Sequence, residues 1–103
     1  MTGPCQNTSD PGLFYIYLLR CSDESYYCGI ARDPQRRLRQ HNEGRGARYT
    51  ASRRPVELIY ATSRGYSRAQ AQVIERKAKM KPRDQKRSYL EATDVQEDRG
   101  TGG

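Results

Sequence analysis

Long apolar runs, a second histidine and paired cysteines are all missing from this sequence, and each absence removes a class of protein. Nothing in the 103 residues is long and apolar enough for a signal peptide or a membrane span, so the expectation is a soluble chain in the reducing cytoplasm with no membrane partner. Cys5, Cys21 and Cys28 are odd in number and lack the short paired spacing of metal ligands, and His41 stands alone, which argues against a zinc site. Apolar residues make up only 34% of the chain, enough for one small domain with a thin core and not for a second.

What the chain has in excess is arginine. The formal net charge is +7, and 15 of its 19 basic residues are arginine. Arg32 to Arg54 holds eight arginines against Asp33 and Glu43, while the last dozen residues lean acidic. The planar guanidinium fork grips phosphate oxygens through two parallel hydrogen bonds, so a polyanion is the leading partner, with a merely solubilising surface as the plainer reading.

One ordered block is expected between two loose ends. "MTGPCQNTSDPG" (1–12) and the polar end (93–103) read as disordered tails around a domain at 13–92. Within it, "LFYIYLLRC" and "YYCGIA" predict an antiparallel hairpin turned by "SDES". Alternation puts Tyr15 and Tyr17 on one face and Phe14, Ile16 and Leu18 on the other. Gly29 marks a bulge or a point of close backbone approach. Asp33 followed by Pro34 is a helix start, and Gly44 a stop. "PVELIYA" predicts a third strand. Ser67 opens a helix in which Ala71, Ile74 and Ala78 share a face, Pro82 breaks it, and "RDQKRSYLEA" predicts a last short helix packed through Tyr89 and Leu90. The expected class is α+β: a three-stranded antiparallel sheet with about three helices, in the order β-β-α-β-α-α.

Residues able to carry chemistry are spread along this plan. Arg37 and His41 are four apart and share a helix face, where they could steady a phosphate's developing charge and move a proton; a solvated face is the alternative. Tyr15, Tyr17, Tyr26 and Tyr27 crowd the hairpin, and a phenol beside a cation can orient or deprotonate water, though packing serves equally as the reading of any one. Glu75, at the border of the Ala71/Ile74/Ala78 stripe, could hold a divalent cation or simply pair with Lys79.

Taken in order, "YIYLL", "YCG", an arginine eight residues after that glycine, a histidine four further on, the basic loop "GRGARYT" and a glutamate in the following helix resemble the GIY-YIG nuclease superfamily. The closest likeness is to its small single-domain branch, similar to the nuclease domain of the bacterial excision-repair incision subunit and to structure-specific junction nucleases. The resemblance runs from Phe14 to about Leu90. It implies a one-metal hydrolysis of DNA phosphodiesters, as an endonuclease of repair or recombination. Tyr17, Tyr27, Arg37, His41 and Glu75 would be catalytic. Tyr17, helped by His41, would activate water, Arg37 would steady the pentacovalent phosphate, and Glu75 would hold Mg2+, with Mn2+ as substitute.

Gly29, Arg32, Arg36, Arg39, Arg45, Arg48 and Tyr49 are the expected substrate-binding residues. The helix from Pro34 needs only the side near Leu38 buried, which frees its arginines for a nucleic-acid backbone, and Tyr49 could stack on a base. Tyr15 and Cys28 depart from the family's name motif, and the asparagine that many members carry after the glutamate is missing. DNA is the expected partner, RNA is not excluded, a protein partner could supply specificity, and a monomer or weak dimer is expected. Two rivals stand beside this: a nucleic-acid-binding module that cuts nothing, and a protein-interaction adaptor with a basic face. The nuclease reading requires that Arg37 and Glu75 converge on one pocket.

Overall fold

The computed structural model describes residues 12–102. The expected N-terminal tail, apart from Gly12, lies outside the described residues, as does Cys5. The elements are β1 (Tyr15–Arg20), β2 (Tyr26–Ala31), α1 (Pro34–Asn42), α2 (Arg48–Ala51), β3 (Glu57–Ala61), α3 (Arg68–Lys79) and α4 (Arg83–Gly102). The three strands form one antiparallel sheet in the order β2-β1-β3, so the architecture is α+β as expected, with one short extra helix, α2.

Alternation in β1 divides the core. Ile16 and Leu18 pack on one sheet face with Ala71, Ile74 and Ala78 of α3 and Leu90 of α4. Tyr17 and Leu19 pack on the other with Val56, Ala31 and the half-buried Leu38 of α1. Each fully buried Leu or Ile side chain contributes about 1.5–3 kcal/mol, and because β1 is central it anchors both clusters. Cys21 and Cys28 are free, buried thiols; burial pushes Cys28 up to about 12, so it packs as a small apolar group.

The caps follow the sequence. Asp33 accepts the Arg36 N–H at 3.2 Å, with Pro34 beginning α1. Gly44 ends it at φ +83°, a conformation that L side chains rarely adopt. Asn42 then clamps α1 to the sheet, donating to the Val56 carbonyl at 2.9 Å and accepting the Val56 N–H at 2.7 Å. Ser67 and Gln70 form a reciprocal capping box on α3.

The last helix is longer than expected: α4 continues past residue 92 to Gly102, and Asp94 is 6% exposed. The physical reason is a polar anchor, since the Asp94 carboxylate accepts from Tyr60 Oη at 2.7 Å, the Ser63 N–H at 2.8 Å and Tyr66 Oη at 3.1 Å. On the side of α1 near Leu38, expected to be buried, Leu38 itself is half-buried and the helix turns His41, fully buried, into the molecule.

Candidate active site

Tyr17 of β1 is the register partner of Gly29 on the neighbouring strand β2. A Cβ on Gly29 would stand 2.6 Å from Tyr17 Oη, so the absence of a side chain at this glycine makes room for the Tyr17 ring. The phenol reaches His41 Nε2 at 3.0 Å. On the other side of the imidazole, Nδ1 meets Thr50 Oγ1 at 2.7 Å, and that hydroxyl lies 3.0 Å from the Ala47 carbonyl. Gly46 closes the back of the ring: a Cβ there would stand 2.1 Å from Nδ1. The loop between α1 and α2 therefore acts as a socket for one histidine.

Tyr27 completes an aromatic cluster. Its ring centroid is 5.2 Å from His41, 6.4 Å from Tyr17 and 6.0 Å from Tyr49, which it stacks against. Burial pushes the Tyr17 phenol up to about 12, with the neighbouring Arg37 guanidinium pulling the other way, so it is protonated at neutral pH. Burial, reinforced by the charge of Arg37, holds His41 below its ordinary value. An imidazole so placed is neutral and free to accept a proton.

Arg37 of α1 and Glu75 of α3 both act on Tyr27 through their charges, but they line separate hollows, Arg37 one with Arg32 and Arg36, Glu75 one with Gln72, Arg76 and Lys79. Burial raises Tyr27, whose phenol then feels Lys79, Glu75 and Arg37 in that order. Arg37 is held by Gln40, Nη1 to Oε1 at 2.7 Å. Glu75 is mostly buried and pairs with Lys79 at 3.3 Å. Among the described residues no three His, Cys, Asp or Glu gather as a metal cluster. Glu75 offers one hard carboxylate at an open hollow of about 380 Å³ shared with Gln72 and with two cationic side chains, Arg76 and Lys79. Such a donor fits a Mg2+-like ion that draws its other ligands from water and substrate phosphate, in competition with the Lys79 ammonium.

The remaining expected residues divide. Arg32 and Arg36 line a cleft beside Arg37. Arg48 is exposed at the start of α2. Arg39 does not join the site, because it lies two residues from both Arg37 and His41 on α1, about 200° around the helix from either. Arg45 is engaged by Glu43, Nε to Oε1 at 3.1 Å. Tyr49, expected to stack on a base, is already stacked by Tyr27 and has the Arg53 guanidinium 3.9 Å from its centroid. Gln40, Gly46, Thr50 and Arg53 escaped the sequence reading. The one available signal was the second glycine of "GRGARYT", spaced to meet the helix that precedes it.

Comparison with known proteins identifies the family. Residues 13–89 match the GIY-YIG catalytic domain. A UPF0213 protein of Streptococcus pneumoniae serotype 4 (strain ATCC BAA-334 / TIGR4) is 48% identical over 77 residues, covering 74% of this chain and 76% of its own length. The UPF0213 protein YazA of Bacillus subtilis (strain 168) is 42% identical over 77 residues, 75% of this chain and 77% of that one. The solution NMR structure of the protein EF2693 from E. faecalis is similar at 40% identity and a TM-score of 0.53, over 81% of this chain and 88% of that one. No helix among the described residues is long and apolar enough to cross a membrane. With the family model matched over residues 13–89 and small relatives 42–48% identical over about three quarters of their length, the chain belongs to the small branch of the GIY-YIG superfamily.

Proposed function

We propose that the protein is a metal-dependent endonuclease that hydrolyses DNA phosphodiester bonds, with residues 13–94 as the catalytic unit. The observation that supports this most is the buried Tyr17–His41 hydrogen bond at 3.0 Å, with Tyr27 edge-on to the imidazole and Arg37 one turn before His41 on α1.

The hydrogen-bond distances favour one direction of proton flow. Thr50 donates to the Ala47 carbonyl, so its oxygen accepts Nδ1–H of His41 at 2.7 Å in preference to the long Ala47 N–H contact to Nδ1 at 3.4 Å, and with that tautomer Nε2 accepts from Tyr17 Oη–H. Tyr17, protonated at rest, takes a proton from water as it passes its own to His41, and the attacking hydroxide forms without a free phenolate. The nearby Arg37 charge disfavours the imidazolium, so the proton returns through Tyr17 Oη to solvent after the phosphodiester is cut, and the leaving oxygen takes its proton from water. The Arg37 guanidinium, aimed by Gln40, stabilises negative charge on the phosphoryl oxygens in the transition state. Tyr27 Oη orients the same phosphate. Glu75 would hold the cation, Mg2+ or Mn2+, which supplies Lewis-acid stabilisation of the leaving oxygen.

The test is incubation of purified protein with branched, flapped and duplex DNA, with and without Mg2+ or Mn2+. Wild-type protein should cut at least one of these in a metal-dependent way. Arg37→Ala and Glu75→Gln should each lower the rate by about 100-fold or more while still shifting the DNA in gels. A protein that shifts all three substrates and leaves them whole is a binding module, and the nuclease reading fails.

A further inference from the structure

The cleft beside Arg37 reaches well past the residues assigned above. It has a volume of about 460 Å³ and is walled by Arg32, Arg36, Arg37, Gln40 and Arg68, with Phe14 on its apolar side. Phe14 is fixed by a backbone bridge to Tyr66, its N–H donating to the Tyr66 carbonyl at 2.8 Å and its carbonyl accepting in return at 2.8 Å. Two guanidiniums approach its ring, Arg32 at 5.3 Å and Arg68 at 5.9 Å from the centroid. Arg68 comes from the first turn of α3, a part of the chain far from Arg32 in sequence.

Four arginines around one concavity repel one another. Among the described residues none of Arg32, Arg36, Arg37 and Arg68 is in an ion pair with a carboxylate, unlike Arg20, Arg45, Arg53 and Arg87. The one acidic wall residue, Asp33, spends a carboxylate oxygen on capping α1. Uncompensated like charge at close quarters is tolerated where a polyanion balances it. The size suits a single nucleotide, at the lower end of the range of about 300–1,000 Å³ usual for small-molecule sites, and is too small for a duplex. An aromatic ring with flanking guanidiniums is the furniture of single-strand recognition, in which base and phosphate are held together.

We propose that this cleft seats an unpaired nucleotide next to the phosphodiester held at Arg37. Arg32, Arg36 and Arg68 take its phosphates and the Phe14 edge takes its base or sugar. The enzyme then prefers DNA with a single-stranded arm at the cut site over continuous duplex. This rests on the nuclease reading for its register, since Arg37 is shared by cleft and active site, but the selectivity itself is a binding property.

The experiment measures binding in EDTA, by fluorescence anisotropy, to a labelled blunt hairpin and to the same hairpin carrying a short single-stranded arm. Wild type should favour the armed hairpin by about 5- to 20-fold, as one stacked and phosphate-bound nucleotide allows. Arg68→Gln and Phe14→Leu should abolish most of that ratio and leave affinity for the blunt hairpin within about twofold. Phe14→Leu keeps an apolar side chain against the core, and thermal melts confirm the fold of both. A ratio near one for wild type, or variants that weaken both DNAs equally, overturns the proposal. Metal-dependent cutting without any preference for the arm would reject the cleft and keep the nuclease; a strong preference with no cutting would do the reverse.

Discussion

His41 is the residue on which the site turns, and its acid titration gives it a measurable signature. It is enclosed by Tyr17 from β1, Tyr27 from β2, Arg37 on its own helix and Thr50 from α2. Burial, then the Arg37 charge, holds its pKa in the folded protein below the ordinary 6.5, so the unfolded chain takes up the proton first as pH falls. The resulting contribution to stability is complete above about 6.5 and is lost on acidification through that value. Asp23, lowered chiefly by its hydrogen bond from Ser25, acts in the same sense only further into acid, below 3.8. Urea midpoints should therefore fall between neutral pH and about pH 5 in the wild type, while His41→Gln, destabilised by about 1–3 kcal/mol throughout, should show little change across that window. An equal acid slope in the variant would mean that other groups carry it. The histidine itself was legible in the sequence from its place four residues after Arg37. Its burial was not, because its socket is made by Gly46 and Thr50, whose roles depend on how a loop folds back over the ring.

At the level of elements, the strands and the starts of α1 and α3 were readable because local rules agree with tertiary packing there: alternation in β1, Asp33 before Pro34, Ser67 before Gln70. The misses lie where local rules say nothing. Four residues of α2 are too few to show a period, and α4 beyond Ala92 looks like a tail because what fixes it is a carboxylate and not an apolar stripe. Asp94 ties α4 to the segment between β3 and α3 that leads into Glu75's helix. Replacing it with alanine leaves the buried Tyr66 hydroxyl, the half-buried Tyr60 hydroxyl and the Ser63 N–H without their acceptor, a loss of about 2–4 kcal/mol. Ending the chain after Ala92 should cost at least as much. Thermal melts of Asp94→Ala and of the truncated chain against wild type check both, and a truncated chain as stable as the full one would show that the anchor adds nothing.

Across the whole molecule, the net charge of +7 describes affinity only after internal pairing is taken into account. From sequence, Arg36, Arg39, Arg45 and Arg48 look equivalent, since charge and residue type are all that can be read. In the fold they are not. Arg36 lines the cleft beside Arg37, whereas Arg45 is engaged by Glu43 at the surface. A guanidinium that contacts phosphate displaces condensed counterions and steepens the loss of DNA affinity with salt; one already neutralised by a carboxylate displaces few. Anisotropy titrations in EDTA over a series of KCl concentrations should therefore show the log–log slope falling by about 1 for Arg36→Ala and staying within error of wild type for Arg45→Ala. Pairs as exposed as Arg45–Glu43 contribute only about 0–1 kcal/mol to folding, so neither variant should alter the melt appreciably and the comparison reads binding alone. Equal flattening by the two variants would mean that DNA breaks the Glu43 pair and spreads over the α1–α2 loop. That outcome would move the path of the bound strand away from the cleft and toward Arg48.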